Sequence, residues 1–370
     1  MAPHEDYSSE LSCAYRRGHP IANPQPGMNS DRKPLAPVDV GDVGYISRVH
    51  GNFIRIFNVH LRPGEKGQPA EGDLPEGFEP LPRGAVSFIE DITPVFKSKS
   101  VRMSGVSADV SGPFLGGSVA FTSANERGAI LAAPDPIECY DAQNIFSYKK
   151  HAMTHIESWH EFAVQRCGLD IALEDVVFVT GVDRTTSWAT AIFADTRLDT
   201  QFGLQVQYAT VGAQLAAKFS WHHTQNALVN SGPSRPRPAL TDSDSVITPG
   251  DESREPLNRI CDQSLFIRHI RAKRRIWVGL KLKANGKPEN MDDYDNLGEG
   301  RGEHAATEVE LVPDHHRQFS DNLEPALDFI LENSTCAIAI AHDADLVSLS
   351  AGGFTTDLGV TVQHGIGMFG

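Results

Sequence analysis

The chain has 370 residues, 40% of them hydrophobic, and a formal net charge of -15. That is enough apolar material for one large domain or two ordinary ones, and the acidic balance argues against a general nucleic-acid binder, because neutralising phosphates needs a basic surface. The longest apolar runs, such as Cys336 to Ala341, are too short to cross a bilayer, and Met1 to Cys13 is polar with no secretory apolar stretch, so a soluble, cytoplasmic protein is expected.

Residues 1–40 carry Pro20, Pro24, Pro26, Pro34 and Pro37 among polar residues and read as an extended or disordered leader. A β-rich main domain is expected over 41–290. It begins with a hairpin in which Val43, Tyr45, Phe53, Ile54, Ile56, Phe57 and Val59 flank the turn Val49-His50-Gly51-Asn52. Pro63 to Pro82 reads as a loop. Val101 to Leu131 reads as a strand pair joined through Gly112 to Gly117. From Ile145 to Cys167, Tyr148, Ala152, Ile156, Trp159 and Ala163 recur at helical spacing with Gly168 placed to close the helix. Asp175 to Val182 and Trp188 to Phe193 read as a second hairpin turning at Asp183 to Ser187.

Leu204 to Tyr208 and Leu215 to Trp221 alternate apolar with polar residues, as strands with one wet face do. A polar insertion over 230–256, rich in Pro, Ser, Asp and Arg, is expected to be mobile. Ser264 to Lys283 resumes strand character. The span 291–350 is expected to be an acidic loop followed by a helix around Leu323, Leu327, Ile330 and Leu331 and a strand at Cys336 to Ala341. A glycine-rich tail, 351–370, closes the chain. The fold class expected is α+β: a long twisted antiparallel sheet with a packed helix and a small C-terminal helix-strand unit.

Five single cysteines, Cys13, Cys139, Cys167, Cys261 and Cys336, fit reduced thiols better than a disulfide framework or a zinc ribbon. His151 and His155 stand four apart on the helix, a spacing that can present two imidazoles to one metal. Ala152, Met153 and Thr154 fill the gap between them, so the general base of a metalloprotease helix is missing, and packed histidines are the plainer reading. His342 and Asp343, joined by Asp345, end a buried strand, where α/β proteins often place active groups; a turn satisfied by Asp is the plainer reading there. No nucleophile elbow, P-loop, dinucleotide fingerprint, kinase loop or deaminase signature is found, and no cofactor is expected.

Arg268, Arg271, Lys273, Arg274, Arg275, Lys281 and Lys283 form a basic run with no acid from Ser264 through Pro288. Such a run could bind an anionic surface at about 1 kcal/mol per basic residue near an anionic leaflet. A charge-protected edge strand, or a face paired with the acidic loop after it, is the alternative.

The segments Arg17-Gly18-His19-Pro20, Gly41-Asp42-Val43-Gly44-Tyr45, Phe57-Asn58-Val59, Pro75-Glu76-Gly77-Phe78-Glu79-Pro80-Leu81, Ser158-Trp159-His160-Glu161-Phe162, Val179-Thr180-Gly181-Val182-Asp183, Ser187-Trp188, Phe266-Ile267-Arg268 and Ala341-His342-Asp343 resemble a large uncharacterised family of mushroom-forming basidiomycete fungi. That resemblance spans nearly the whole chain and implies no activity. At the level of element order the chain also resembles the pore-forming domain of gasdermins, with a strand pair, a helix, another strand pair with a polar turn and a late basic strand; Val101 to Leu131, Ile145 to Cys167, Val176 to Phe193 and Leu204 to Trp221 follow that sequence. The likeness implies a membrane-acting protein released by cleavage or modification, with anionic lipids as partners and homo-oligomers as the working form. A protein-interaction module without chemistry, with an exposed patch around Tyr45 and Phe53, and a hydrolase centred on His342 and Asp343 are the other readings.

Overall fold

The structure is a computed structural model and describes residues 3–15, 17–28, 34–104, 117–123, 125–194, 202–211, 214–224, 227–234, 260–275, 319, 321–352 and 359–369. In chain order, α1 (Pro3–Tyr15) precedes β1 (His19–Pro20), β2 (Asp42–Ile46), β3 (Phe53–Asn58), β4 (Val86–Asp91), β5 (Val95–Lys97), β6 (Val101–Ser104), β7 (Gly117–Ser123), β8 (Gly128–Ala132) and β9 (Ile137–Ala142). Then come α2 (Ile145–Gln165), β10 (Val177–Thr185), β11 (Trp188–Phe193), β12 (Gly203–Val211), β13 (Gln214–His222), β14 (Leu228–Gly232), β15 (Gln263–Arg274), α3 (Glu324–Glu332), β16 (Ile338–His342), α4 (Asp343–Gly352), β17 (Val360–Gln363) and β18 (Ile366–Phe369).

The fold is mixed α+β, built on one long sheet of 10 strands in the order β17-β18-β16-β15-β10-β2-β3, with β1 added on β15 and a branch of β9 and β4 leaving β10. Its pairings are antiparallel except β16 with β18. The period-two alternation of β16 shows how both faces are covered. Ile338 and Ile340 face a core shared with Tyr148, Ala152, Ile156 and Trp159 of α2, while Ala339 and Ala341 face Ala326, Leu327 and Ile330 of α3. Helix α2 buries the stripe its spacing dictates. Asn144 caps its start by accepting from the Ser147 N–H at 3.3 Å, and Gly168 ends it at φ 66°, a conformation glycine adopts without a Cβ clash.

Two four-stranded sheets, β14-β11-β8-β5 and β13-β12-β7-β6, pack face to face beside the long sheet. Alternation again sorts the side chains: Ile130 and Ala132 of β8 meet Phe121, Leu204 and Val206 of the facing sheet, whereas Ala129 and Leu131 meet Tyr7 and Leu11 of α1.

Several expectations are corrected. Residues 1–40 are not an extended leader throughout: all the prolines named there lie beyond Tyr15, and Pro3–Tyr15 is free to form a helix that buries Tyr7 and Leu11 on β8. Strands β10 and β11 are consecutive yet do not pair. β10 bonds to β15, β2 and β9, and β11 bonds to β8 and β14. The chain changes sheets between them at a corner fixed by Asp135, whose Oδ2 accepts from the hydroxyls of Thr186 at 2.5 Å and Ser187 at 2.6 Å. The steps from β4 to β5 and from β8 to β9 change sheets in the same way. In 101–131, β6 pairs with β7 but β8 joins the other sheet, and residues 105–116 lie outside the described residues. The strand of the C-terminal unit is an inner member of the long sheet, and the tail contributes the hairpin β17–β18. The hairpin β2–β3 forms where expected, and the alternating stretches Leu204 to Tyr208 and Leu215 to Trp221 lie in strands β12 and β13, which pair with each other. Phe53 is buried, however, and cannot belong to an exposed patch. Residues 235–256 of the insertion, the acidic loop 292–310, Lys281 and Lys283 lie outside the described residues. No helix among the described residues is long and apolar enough to cross a membrane.

Candidate functional site

Strand β15 is the spine on which most of the singled-out residues meet. Its alternation sends Ile270 and Ala272 toward α2 and His269, Arg271 and Lys273 toward the start of α3. Because α3 covers that second face, the cations are buried, and a buried charge needs a partner. Asp321 accepts from Arg271 Nη1 on Oδ1 at 2.6 Å and from His269 Nε2 on Oδ2 at 2.7 Å. Arg271 Nη2 reaches Glu324 Oε1 at 2.8 Å, and Lys273 Nζ bridges Glu324 Oε2 at 2.9 Å and Asp328 Oδ1 at 2.6 Å. Asp343 Oδ2 accepts from the His269 backbone N–H at 2.7 Å and lies 3.3 Å from its Nδ1. The Arg271 side chain is 0% exposed, and its guanidinium sits 5.4 Å from the Phe319 ring.

Electrostatics follow from this layout. Burial opposes a charged imidazole at His269, but Asp343 and Asp321 outweigh it and lift its pKa to about 10, so the group is an imidazolium at neutral pH. Burial would raise the Asp321 carboxyl, yet Arg271 and His269 hold it well below the usual carboxylate range. His19, edge-on to His269 at 6.2 Å, is driven by burial down to about 4 and stays neutral.

The other basic residues are equally committed. Arg268 donates from Nε to Asp141 Oδ1 and from Nη1 to Asp183 Oδ1, each at 2.5 Å. Asp183, fully buried, also takes Arg17 Nε at 2.6 Å, and Arg17 pairs with Asp91 besides. Arg275 donates to the carbonyls of Leu331, Ser334 and Cys336 just past the end of α3, where the helix leaves acceptors unpaired. Among the described residues of the run only Arg274, 3.4 Å from Glu157, is exposed. The expected anionic-surface face is therefore corrected: Arg268, Arg271, Lys273 and Arg275 hold the fold together, and their charge is matched by carboxylates and carbonyls inside the molecule.

His342, Asp343 and Asp345 do converge, but as structural groups. A bulge in β10, between Val179 and Gly181, turns Thr180 toward His342. His342 Nδ1 accepts from the Ala344 N–H at 2.9 Å, which places the ring proton on Nε2, and Nε2 donates to Thr180 Oγ1 at 2.8 Å. A base that activates a hydroxyl needs its lone pair on that nitrogen. This imidazole has none there, its pKa is lowered by burial to about 4, and Thr180 is 1% exposed. Asp345 accepts from the His342 N–H at 2.8 Å and from Lys149 Nζ at 2.5 Å, tying α4 to α2 across the end of the sheet. None of the described cavities is lined by these residues.

His151 and His155 lie with ring centroids 4.5 Å apart, each against Trp159. Burial, then the neighbouring His155, lowers His151 to about 4, and burial lowers His155. They are neutral rings packed on an aromatic surface, and no metal-binding group of three or more His, Cys, Asp or Glu occurs among the described residues.

The stretch that reads from sequence as a plain loop forms one wall of a groove of about 630 Å³, between residues 63–78 and one face of α2. Leu74, Pro75 and Phe162 are its buried apolar lining, and Phe78 is held in place edge-on to Phe57 at 5.8 Å. Glu71, Glu76 and Glu161 stand exposed around it. Arg166 is drawn to the loop by donating to the Gly72 carbonyl at 3.1 Å. Among the described residues neither Glu71 nor Glu76 has a cationic partner. The segments Pro75 to Leu81 and Ser158 to Phe162, distant in sequence and both singled out above, supply opposite walls. Searches of family models, of curated proteins and of solved structures each gave no match for this chain.

Proposed function

We propose that the protein is an interaction module without chemistry of its own, which holds a segment of a partner protein in the groove between residues 63–78 and α2. The observation that carries this reading is the groove itself, whose volume of about 630 Å³ matches the roughly 300–1,000 Å³ of small-molecule clefts and so has room for the anchoring side chains of a peptide segment. Leu74, Pro75, Phe78 and Phe162 suit an apolar anchor. The carboxylates of Glu71, Glu76 and Glu161 around them suit a segment that also carries Lys or Arg. Among the described residues, the titratable groups singled out at His342, Asp343 and Asp345 are engaged in holding elements together, which favours recognition at the groove. The test is fluorescence anisotropy with short peptides that place Leu or Phe beside Lys or Arg, compared with the same peptides carrying Glu. Binding of the cationic set, weakened by salt and lost in Glu71→Lys/Glu76→Lys, is the expected result. Equal binding of both sets, or unchanged binding by the charge-reversed protein, overturns it.

A second reading, insertion of the β12–β13 hairpin into an anionic bilayer, is favoured by one observation. Gln205, Gln207, Lys218 and Ser220 point away from the core while Leu204 and Val206 point into it, the alternation a membrane strand needs. The hairpin would have to leave the facing sheet to use it, and the ion-paired Arg268, Arg271 and Lys273 are not placed for lipid contact. Dye-loaded liposomes containing phosphatidylserine or cardiolipin, challenged with intact and protease-nicked protein, decide the matter: release supports insertion, and no release from either form removes it.

A further inference from the structure

We propose that β4 is the contact strand of a homodimer, in which the long sheet continues across a two-fold axis into a second copy of this chain. Among the described residues β4 is an edge strand that bonds to β9 alone. The Gln143 N–H donates to the Ala85 carbonyl at 3.0 Å, so by the antiparallel pattern Ala85, Ser87 and Ile89 direct their backbone groups to β9, while Val86 and Phe88 direct theirs outward. An open edge of this kind is usually blunted by Lys, Pro or a bulge. Val86 to Ile89 has none of these. Instead Phe88 is 56% exposed on one face of the sheet and Ile89 61% exposed on the other. The Phe88 ring lies 5.3 Å from that of Tyr140, its cross-strand neighbour, which extends an apolar surface to the edge.

The occupant is chosen by the strand's own complementarity. With Ser87 on the two-fold axis, the outward-bonding residues Val86 and Phe88 pair with each other, and Ala85 faces Ile89 on the opposite side of the sheet. Apolar residues meet apolar ones on both faces, as stabilising cross-strand pairs require, and Arg83 and Asp91 keep their own partners Asp39 and Arg17 at the ends. The alternative with Phe88 on the axis sets Glu90 against Val86 and Asp91 against Ala85, and gives up that match. In the favoured register the two Ser87 residues form a non-hydrogen-bonded pair, whose Cα atoms stand about 4.5 Å apart, within the range of about 4.4–6.8 Å that a disulfide spans.

The full chain is to be run in sedimentation equilibrium over a concentration series under reducing conditions, beside Phe88→Lys/Ile89→Lys. Both substitutions are at exposed positions, and circular dichroism and melting that match the wild type at concentrations where the wild type is monomeric confirm that the variant is folded. The wild type is expected to dimerise with concentration, and the variant to remain monomeric. In parallel, Ser87→Cys in a Cys167→Ser background is oxidised gently and mapped by peptide mass, with a covalent dimer joined through position 87 expected. The proposal is overturned by a wild type that stays monomeric throughout, by a dimer that survives Phe88→Lys/Ile89→Lys, or by a dimer that gives no cross-link at position 87. It stands independently of the groove, since Glu71→Lys/Glu76→Lys leaves β4 untouched and should dimerise as the wild type does.

Discussion

Replacing Asp321 by Asn removes one charge and tests the role assigned to the cluster beneath α3. Asp321 accepts from Arg271, His269 and the Leu323 N–H, and both cationic side chains are no more than 1% exposed. With the carboxylate gone, Arg271 keeps only Glu324, itself partly exposed, and His269 keeps only Asp343. Breaking a buried pair from one side costs about 3–5 kcal/mol, a large share of the roughly 5–15 kcal/mol by which a domain is stable. The pH dependence makes the test specific. His269 is raised in the folded state to about 10 from an ordinary 6.5, so its contribution is complete below the unfolded value and is lost as pH rises through the folded one. Across that window the folded state holds one more proton, and stability falls by up to about 1.4 kcal/mol per pH unit. Urea unfolding of wild type and Asp321→Asn should be followed from neutral pH to beyond the folded-state value. The expected results are a loss of about 3–5 kcal/mol at neutral pH and a shallower decline in the variant, whose imidazole has lost a charge partner. Lys, Cys and Tyr groups titrating in the same range contribute to both curves and cancel in the difference. A loss below about 1 kcal/mol, the range of surface pairs, or parallel pH curves, would refute the assignment.

Leu11→Ala should cost about 2–5 kcal/mol in the same assay, the usual loss for emptying a packed leucine site, because Leu11 is fully buried against the sheet that holds β8; an unchanged midpoint would mean that α1 is dispensable. Thr180→Val leaves the His342 Nε2–H without its acceptor in a buried site, and should cost about 1–3 kcal/mol while leaving peptide binding in the groove unaltered. A variant that melts like the wild type would show that the bulge in β10 serves some purpose other than orienting that imidazole.

The elements legible in the chain are those whose partners are neighbours in sequence. Helix α2 declares itself because Tyr148, Ala152, Ile156, Trp159 and Ala163 repeat within a single segment, and all are buried. The hairpins β2–β3 and β12–β13 join strands through short turns. Failure begins where pairing is long-range. β10 and β11 follow each other through two residues, as hairpin strands do, but each is buried on both faces and is claimed by a different sheet. Helix α1 escapes notice because the proline-rich stretch after it colours the whole leader. Pro3 itself sits at a helix start, where proline is tolerated.

The basic run misleads for a related reason, and its spacing holds a finer signal. Ile270-Arg271-Ala272-Lys273 alternates as a strand with one wet face does, which assigns its polar side to solvent. In an inner strand of a sheet covered by helices on both sides that side is buried too, and each cation there demands an acid. The acids are written downstream at matching intervals. Along β15 the cations His269, Arg271 and Lys273 recur every second residue, a step of about 6.6 Å in a strand. Asp321, Glu324 and Asp328 recur every three or four residues, about 4.5–6 Å of rise where they are helical. The two ladders are nearly commensurate, so the first two acids each reach two successive cations, Asp321 taking His269 and Arg271 and Glu324 taking Arg271 and Lys273, while Asp328 takes Lys273 alone. A strand with cations two apart, followed by a helix start with acids three and four apart, is therefore a docking pattern for helix on sheet, and residue spacing alone carries it. Charge sign and count suggest a lipid surface; charge spacing points to α3.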